Sequence, residues 1–298
     1  MDDNEYLESV LESQCLADGS EEMEALRSHR DDVEELLLDK FSAASPTIRY
    51  GGSKAKGTLI KEMYDLDIVC YFPSGEDGAG KTLEEIYKNV KAALTDDYYV
   101  EEKTSAIRLK SKDLDSYGVD FHIDVVPGRY TDEEKADCYL YQKNAEKGRL
   151  KTNLDVHINH IKNSGVRDAL RLLKLLRCRK GLRIKQFAYE LLIIKLLKSK
   201  KTVSLAAQLK HVLTEIKDAK EAIMIEDPAN PSGNDLMPLL KQAWAELRSV
   251  AVSTLDQVAA SGWKAVFGEV ESFSKAAKVA ALSAAAHVVT SPTRPWSS

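Results

Sequence analysis

The stretch GGSKAKGTLIKEMYDLDIVCYF, residues 51–72, decides how the chain is read. Its two leading glycines allow a tight turn and close backbone approach. Ser53 adds a hydroxyl, and the residues after it open a short helix whose N–H groups suit a triphosphate. The stretch ends in a β-rich run from Asp65 to Phe72, in which Asp65 and Asp67 are two apart, leave the same face and can share one metal cluster. A D-x-D pair alone says little, because acidic pairs at strand ends are ordinarily solvated. A phosphate-holding loop beside the carboxylates changes its meaning, since together they would hold both ends of a magnesium-bound nucleotide.

Outward from this stretch the pattern is helix, strand, loop, strand. Apolar residues recur at Met23, Leu26, Val33, Leu36, Leu37 and Phe41, close to the 3.6-residue period of a long amphipathic helix, and a short extended piece ends at Tyr50. Downstream, PSGEDGAG (73–80) is a loop, TLEEIYKNVKAAL a helix, and YYVEE, SAIRLK and VDFHIDVV three further strands. In the last of these, Asp120, His122 and Asp124 alternate onto one face and leave Phe121, Ile123 and Val125 for the core. Three carboxylates on neighbouring strands are what two-metal phosphoryl transfer needs, since hard Mg²⁺ prefers oxygen ligands. After about Asp132 strand signals stop. Helical patterns follow, notably DALRLLKLLRCRK (168–180), FAYELLIIKLLKS (187–199) and an alanine-rich pattern over about 263–286. The fold class is thus α+β, a small mixed sheet domain followed by a helical one, without internal repeats.

The spacing around the first stretch resembles the G-S-x-x-K-G-T … D-x-D signature of the oligoadenylate synthetase and cyclic-oligonucleotide synthase (CD-NTase) superfamily. Gly52 stands thirteen residues before Asp65 and Ser53 fourteen before Asp67, with Lys56, Gly57 and Thr58 between. HIDVVP (122–127) looks like the third-carboxylate strand of that superfamily. ALRLLKLLRCRKG is similar to the helix whose lysine touches the donor triphosphate, here Lys174, with Arg171 one turn earlier on the same face. KQFAYELL resembles the segment that gives a Gln and an aromatic residue to the donor nucleotide, here Gln186 and Phe187; Phe187 stands where the synthetases have Tyr and keeps the stacking face without the hydroxyl. DPANPSGND (227–235) resembles a stretch near the domain junction, and WKAVFG (263–268) a structural motif.

The resemblance implies a polymerase-beta-like nucleotidyltransferase core with a long N-terminal helix (1–150), an oligoadenylate-synthetase-like helical domain (151–290) and a loose tail (291–298), the active site lying in the cleft between the domains. It implies Asp65, Asp67 and Asp124 as catalytic residues and as ligands of two Mg²⁺ ions, with Mn²⁺ able to substitute. Gly52, Ser53, Lys56, Arg171, Lys174, Gln186 and Phe187 would bind nucleotide. The implied activity joins ATP and other NTPs, without a template, into a cyclic di- or trinucleotide for antiphage signalling. Linear oligoadenylate synthesis, or nucleotidylation of a drug, a protein or an RNA end, are the alternatives on the same fold. Regulatory or tail-conjugating proteins from a defence operon are the expected partners.

The bulk numbers agree with a globular enzyme. The 298 residues are 44% apolar and 30% charged, enough for a full core. The net charge of −5 argues against a coat for nucleic acid. The charge is uneven: residues 1–40 hold fourteen Asp/Glu against three Lys/Arg, and residues 141–201 seventeen Lys/Arg against four Asp/Glu. The middle of the chain therefore suits a polyanionic ligand, although a lysine-rich helical stretch on its own reads as a solvated face. The acidic, polar start lacks the features of a signal peptide, and no apolar run approaches the roughly 18 residues of a membrane span, so a cytoplasmic protein is expected. Cys15, Cys70, Cys138 and Cys178 are scattered and read as buried or inert thiols. One motif competes: GEDGAGKT (75–82) fits the G-x-x-x-x-G-K-[ST] phosphate loop between a strand and a helix. That loop belongs to parallel sheets of repeated strand-helix units, which a chain turning helical this early does not supply.

Overall fold

The computed structural model describes residues 2–16, 19–112, 122–143 and 148–270. The expected facing of Asp120 and Phe121, the alanine-rich pattern beyond 270 and the tail at 291–298 lie outside these residues.

The predicted lead helix is α2 (Glu21–Lys40). Ser20 caps it by accepting from the Met23 N–H, three glutamates sit in its first turn and Lys40 in its last, complementing the helix dipole. It is preceded by a helix that the periodicity reading did not name, α1 (Asp3–Ser13). Its signal is local: Asp2 and Glu5 form a reciprocal capping box. The helix after the 73–80 loop, α4 (Leu83–Thr95), starts from a second such box, Thr82 with Glu85, and buries Ile86, Tyr87, Val90 and Leu94.

A seven-stranded sheet carries the first half. β1 (Thr47–Tyr50), β2 (Leu66–Phe72), β3 (Tyr98–Glu102), β4 (Ile107–Ser111) and β5 (Ile123–Tyr130) run in the order β1-β2-β5-β4-β3. β2 and β5 are parallel neighbours, with Leu66 opposite Ile123 and Asp67 opposite Asp124; the other pairs are antiparallel. One sheet face packs Leu66, Ile68, Cys70, Phe72, Ile107, Leu109, Ile123 and Val125 under α2 and α4. Burying each large aliphatic or aromatic side chain of this kind contributes about 1.5–3 kcal/mol.

The expectation that strands end near Asp132 is corrected. β6 (Cys138–Tyr141) pairs β5, and β7 (Arg149–Thr152) pairs β6. Both strands are only four residues long, and β7 carries the charges typical of a protected edge, so neither leaves a clear alternation of apolar and polar residues.

The helices of the second half are α5 (Leu154–Lys162), α6 (Arg167–Arg179), α7 (Gln186–Leu196), α8 (Leu205–Asp218), α9 (Met237–Ser261) and α10 (Lys264–Phe267). Within the described residues the alanine-rich pattern expected from 263 begins with the short α10, beside the fully buried Trp263, which stacks on Phe267. α1 joins this helical core through Tyr6, Leu7, Val10 and Leu11. The start of the chain thus packs with its second half, and a boundary at residue 150 separates sequence more cleanly than core. Cys70 and Cys138 are buried, the Cys70 thiol pushed up to about 12 by desolvation. Cys15 is exposed and Cys178 half-buried, so burial covers only two of the four thiols.

Candidate active site

Asp67 and Asp124 face each other across the parallel β2–β5 pair, and Asp65 precedes β2 on the same side. Gly51 donates its N–H to the Asp67 carbonyl at 2.8 Å, which turns the loop back over the carboxylates. α3 (Gly52–Lys56) then starts with Gly52 at a φ of +47°, where a Cβ would lie 1.5 Å from Asp67 Oδ2. The glycine is required twice, by its left-handed backbone and because the carboxylate occupies the space of its missing side chain. Ser53 follows in the first turn of α3, half-buried.

The carboxylates crowd each other. Burial, then the charges of Asp124 and Asp65, push the Asp67 carboxyl up to about 7. Asp65 is also raised, by burial and by Asp124, against the opposing pull of Arg108. His122, buried beneath them, holds Nδ1 4.0 Å from Asp65 Oδ1. The rise is first an effect of burial, to which the neighbouring carboxylates add.

Beside the glycine loop stands a residue that the sequence reading missed. Glu190 of α7 is fully buried and accepts from Lys56 Nζ at 2.9 Å, Gln186 Nε2 at 3.2 Å and the Thr58 hydroxyl at 3.5 Å. Lys174 of α6, buried, reaches the Thr58 carbonyl at 3.4 Å. Burial lowers its ammonium to about 8, while Glu190, Asp67 and Asp65 pull it back up. The loop lysine, the helix lysine and the carboxylates therefore form one cluster. A hydrophobic reading of FAYELLIIKLL hides Glu190, because a single acid in an apolar helix looks like an outward-facing residue; its burial beside two lysines is a tertiary fact.

Phe187 packs between His157, ring centroids 4.4 Å apart, and Lys56 Nζ, 5.0 Å from its ring centre. The Gln186 Oε1 atom is buried with no hydrogen-bond partner, an acceptor that normally has one. Arg171 lies elsewhere: it donates to the Leu11 carbonyl of α1 at 3.4 Å and sits 3.8 Å from Asp168. The 227–235 stretch, which the resemblance puts near a domain junction, bridges α5 and β7. Asp227 accepts from Asn234 Nδ2 and meets His157 Nε2, both at 2.7 Å, and Asn234 also donates to the Lys151 carbonyl of β7.

The second missed residue is Arg108 of β4. It lies opposite Asp124 across the β4–β5 pair, donates Nε to Oδ1 at 2.7 Å and Nη2 to Oδ2 at 2.8 Å, and keeps Nη2 3.7 Å from Asp65 Oδ2. The donor set fits a hard divalent cation in kind: carboxylate oxygens on two adjacent strands with excess negative charge. As they stand, no three acidic, His or Cys side chains among the described residues close around a point able to hold an ion. Both Asp124 oxygens are turned to Arg108, so the guanidinium has to yield for the set to close.

The competing phosphate loop is already filled. The Glu85 carboxylate accepts the Lys81 and Thr82 N–H groups at 2.7 and 3.2 Å, and Thr82 serves as the cap of α4. Arg129 binds the Lys81 carbonyl at 3.0 Å from below, and the sheet is mixed. An internal carboxylate sits where that motif would place a phosphate.

Residues 26–149 match the family model described as "Nucleotidyltransferase domain". No curated protein matches the chain by sequence. Solved structures do match by fold. CdnC of E. coli MS115-1, solved with ATP, is 18% identical with a TM-score of 0.68 and covers 90% of this chain and 98% of its own. The CD-NTase CdnG of Bradyrhizobium diazoefficiens, in complex with GTP, is 14% identical with a TM-score of 0.67 and coverages of 88% and 94%. DncV of Vibrio cholerae, a cyclic AMP-GMP synthase, is 15% identical with a TM-score of 0.57 and coverages of 80% and 75%. The matched domain spans strands β1 to β6, the glycine loop and all three aspartates, and the chain accordingly carries a nucleotidyltransferase domain and has the fold of the CD-NTases.

Proposed function

We propose that the chain joins NTPs, ATP among them, into a cyclic di- or trinucleotide second messenger for antiphage signalling, with release of pyrophosphate. The observation that carries this reading is the juxtaposition of Asp65, Asp67 and Asp124 with the Gly52–Lys56 loop and the buried Lys174 in one cluster. Asp65, Asp67 and Asp124 would hold two Mg²⁺ ions, or Mn²⁺, which supply a lowered pKa at the attacking hydroxyl and charge neutralisation at the leaving pyrophosphate. Lys56 and Lys174 bind the triphosphate, as charge-assisted contacts that a neutral side chain cannot replace. The N–H groups of Gly52 and Ser53 and the Ser53 hydroxyl complete the cradle. Gln186, whose Oε1 waits for a donor, and Phe187 face the base. Arg171 would reach this site only by leaving α1. Holding donor and acceptor together turns a bimolecular transfer into a local one.

CdnC has also been solved with a HORMA partner. A regulatory protein from the same defence operon is the expected partner here, together with an enzyme that conjugates the tail at 291–298. Among the described residues no helix is long and apolar enough to cross a membrane, which agrees with action in the cytoplasm. Linear oligoadenylate synthesis and transfer of a nucleotide to a drug, protein or RNA end remain the readings to beat. Purified protein with Mg²⁺ and labelled NTPs alone separates them. A phosphatase-resistant product without added acceptor or template is expected; a phosphatase-sensitive ladder would show a linear product, and no product without an acceptor would show transfer to a separate substrate.

A further inference from the structure

The sheet register places four charged side chains in one row across four strands. Glu101 of β3 is opposite Arg108 of β4, Arg108 is opposite Asp124 of β5, and Asp124 is opposite Asp67 of β2. Directly opposed residues on neighbouring strands sit within side-chain reach, so Arg108 can pair with the acid on either side of it while Asp124 and Asp67 repel. Arg108 therefore stands between two acids. It now holds Asp124, with both oxygens engaged, while Glu101 on its other side pairs with Lys103 and is about half-exposed.

We propose that Arg108 is a two-position counter-ion of the catalytic carboxylates: it clamps Asp124 while the cleft lacks its divalent cation, and shifts toward Glu101 when the cation loads. This rests on the reading of Asp65, Asp67 and Asp124 as metal ligands. A bare third carboxylate in this crowded, largely buried position would be repelled by its two neighbours, and the guanidinium supplies the missing positive charge. The guanidinium does not lose its proton under any folding condition, so the clamp opens only by displacement. Its fork geometry matches a carboxylate on both oxygens, which a lysine would not do. Glu101 makes the displaced position favourable, since it offers a carboxylate one strand away at a more hydrated point of the sheet. Arg108 is thus a positioning residue, setting how readily the site accepts its cation.

Two variants should move metal affinity in opposite directions, a result that a merely structural role does not produce. Mn²⁺ binding to the nucleotide-free full chain is read by electron paramagnetic resonance, without any turnover. Arg108→Gln removes the competitor and is expected to tighten Mn²⁺ about tenfold. Glu101→Gln removes the displaced position and is expected to weaken Mn²⁺ about threefold; it alters an exposed side chain, so it keeps the test alive if Arg108→Gln fails to fold. In the double variant Glu101→Gln should add nothing to Arg108→Gln. Unchanged affinity in Glu101→Gln, or weaker binding in a folded Arg108→Gln, would overturn the proposal. Should the wild type bind no Mn²⁺, or Asp67→Asn bind it equally well, the metal reading itself falls and the proposal with it.

Discussion

Asp67→Asn is expected to stabilise the nucleotide-free protein, and to do so only at the alkaline end of its pH range. The Asp67 carboxyl is pushed up to about 7 by burial and by Asp124 and Asp65, whereas in the unfolded chain it titrates at about 3.9. Between those values the folded state binds more protons than the unfolded state. The contribution of this group is therefore fully favourable below pH ~4 and is lost as the pH rises through 7. Three units at about 1.4 kcal/mol each set a ceiling of about 4 kcal/mol, of which roughly two thirds develops between pH 5 and pH 8. The side chain is not wholly enclosed, and solvent screening trims this span to about 2 kcal/mol. Asparagine carries no such penalty, so its melting temperature should exceed that of the wild type by about 4–8 °C more at pH 8 than at pH 5. Thermal unfolding of both proteins in metal-free buffer at the two pH values makes the comparison. A constant difference, or a variant less stable at pH 8, would show that the three carboxylates do not share one electrostatic site.

The remaining predictions test the cradle and its rivals. Gly52→Ala forces a side chain into a φ of +47° and onto the Asp67 carboxylate; it should lose on the order of a hundredfold in turnover while remaining folded by circular dichroism, the loss following from the displaced carboxylate. Lys174→Ala should weaken nucleotide binding by about 1.5–3 kcal/mol, and calorimetry with ATP would return the lysine to a structural role if affinity held. Glu190→Gln leaves Lys56 and Lys174 without their buried anion and should cost about 3–5 kcal/mol in urea unfolding, much of it restored by a bound triphosphate. Asp124→Ala should lower the rate roughly a thousandfold, about 4 kcal/mol, with an unchanged fold, while Lys81→Ala keeps most of its activity; the reverse pattern would reinstate the 75–82 loop as the phosphate site.

What the sequence made legible was whatever depends on local spacing. The D-x-D pair, the glycine turn and the β5 carboxylate follow from alternation and turn chemistry, and the structure sets Asp67 opposite Asp124 as the pattern requires. Strands β6 and β7 escaped because four residues are too few for a period to show, and α1 because its cap was read only as part of an acidic start. Arg108 and Glu190 were illegible for a different reason. Each sits in a segment whose pattern was assigned correctly, but its partner lies 16 or 134 residues away, and no spacing rule links the two.

Those two residues change how the cleft is understood. Lys56, Lys174 and Arg108 stand among Asp65, Asp67, Asp124 and Glu190, and the buried Arg177 of α6 also acts on Glu190 and Asp65, so cations and anions are near balance before any substrate arrives. A nucleoside triphosphate with two divalent cations brings nearly no net charge. Loading therefore needs an exchange of partners more than a change in total charge: under the proposed function the lysines trade Glu190 for phosphate, and Asp124 trades Arg108 for metal. Buried ion pairs of this kind give little net stability, because the cost of taking charges from water offsets much of their attraction. That near balance is what makes them exchangeable. A cleft lined with lysines alone would hold the triphosphate more tightly but would repel its own wall when empty, and one lined with aspartates alone would hold them all partly protonated, as the raised carboxyls of Asp65 and Asp67 already begin to show. The internal pairs let the same side chains be buried against oppositely charged partners, ready to exchange one set of them for another.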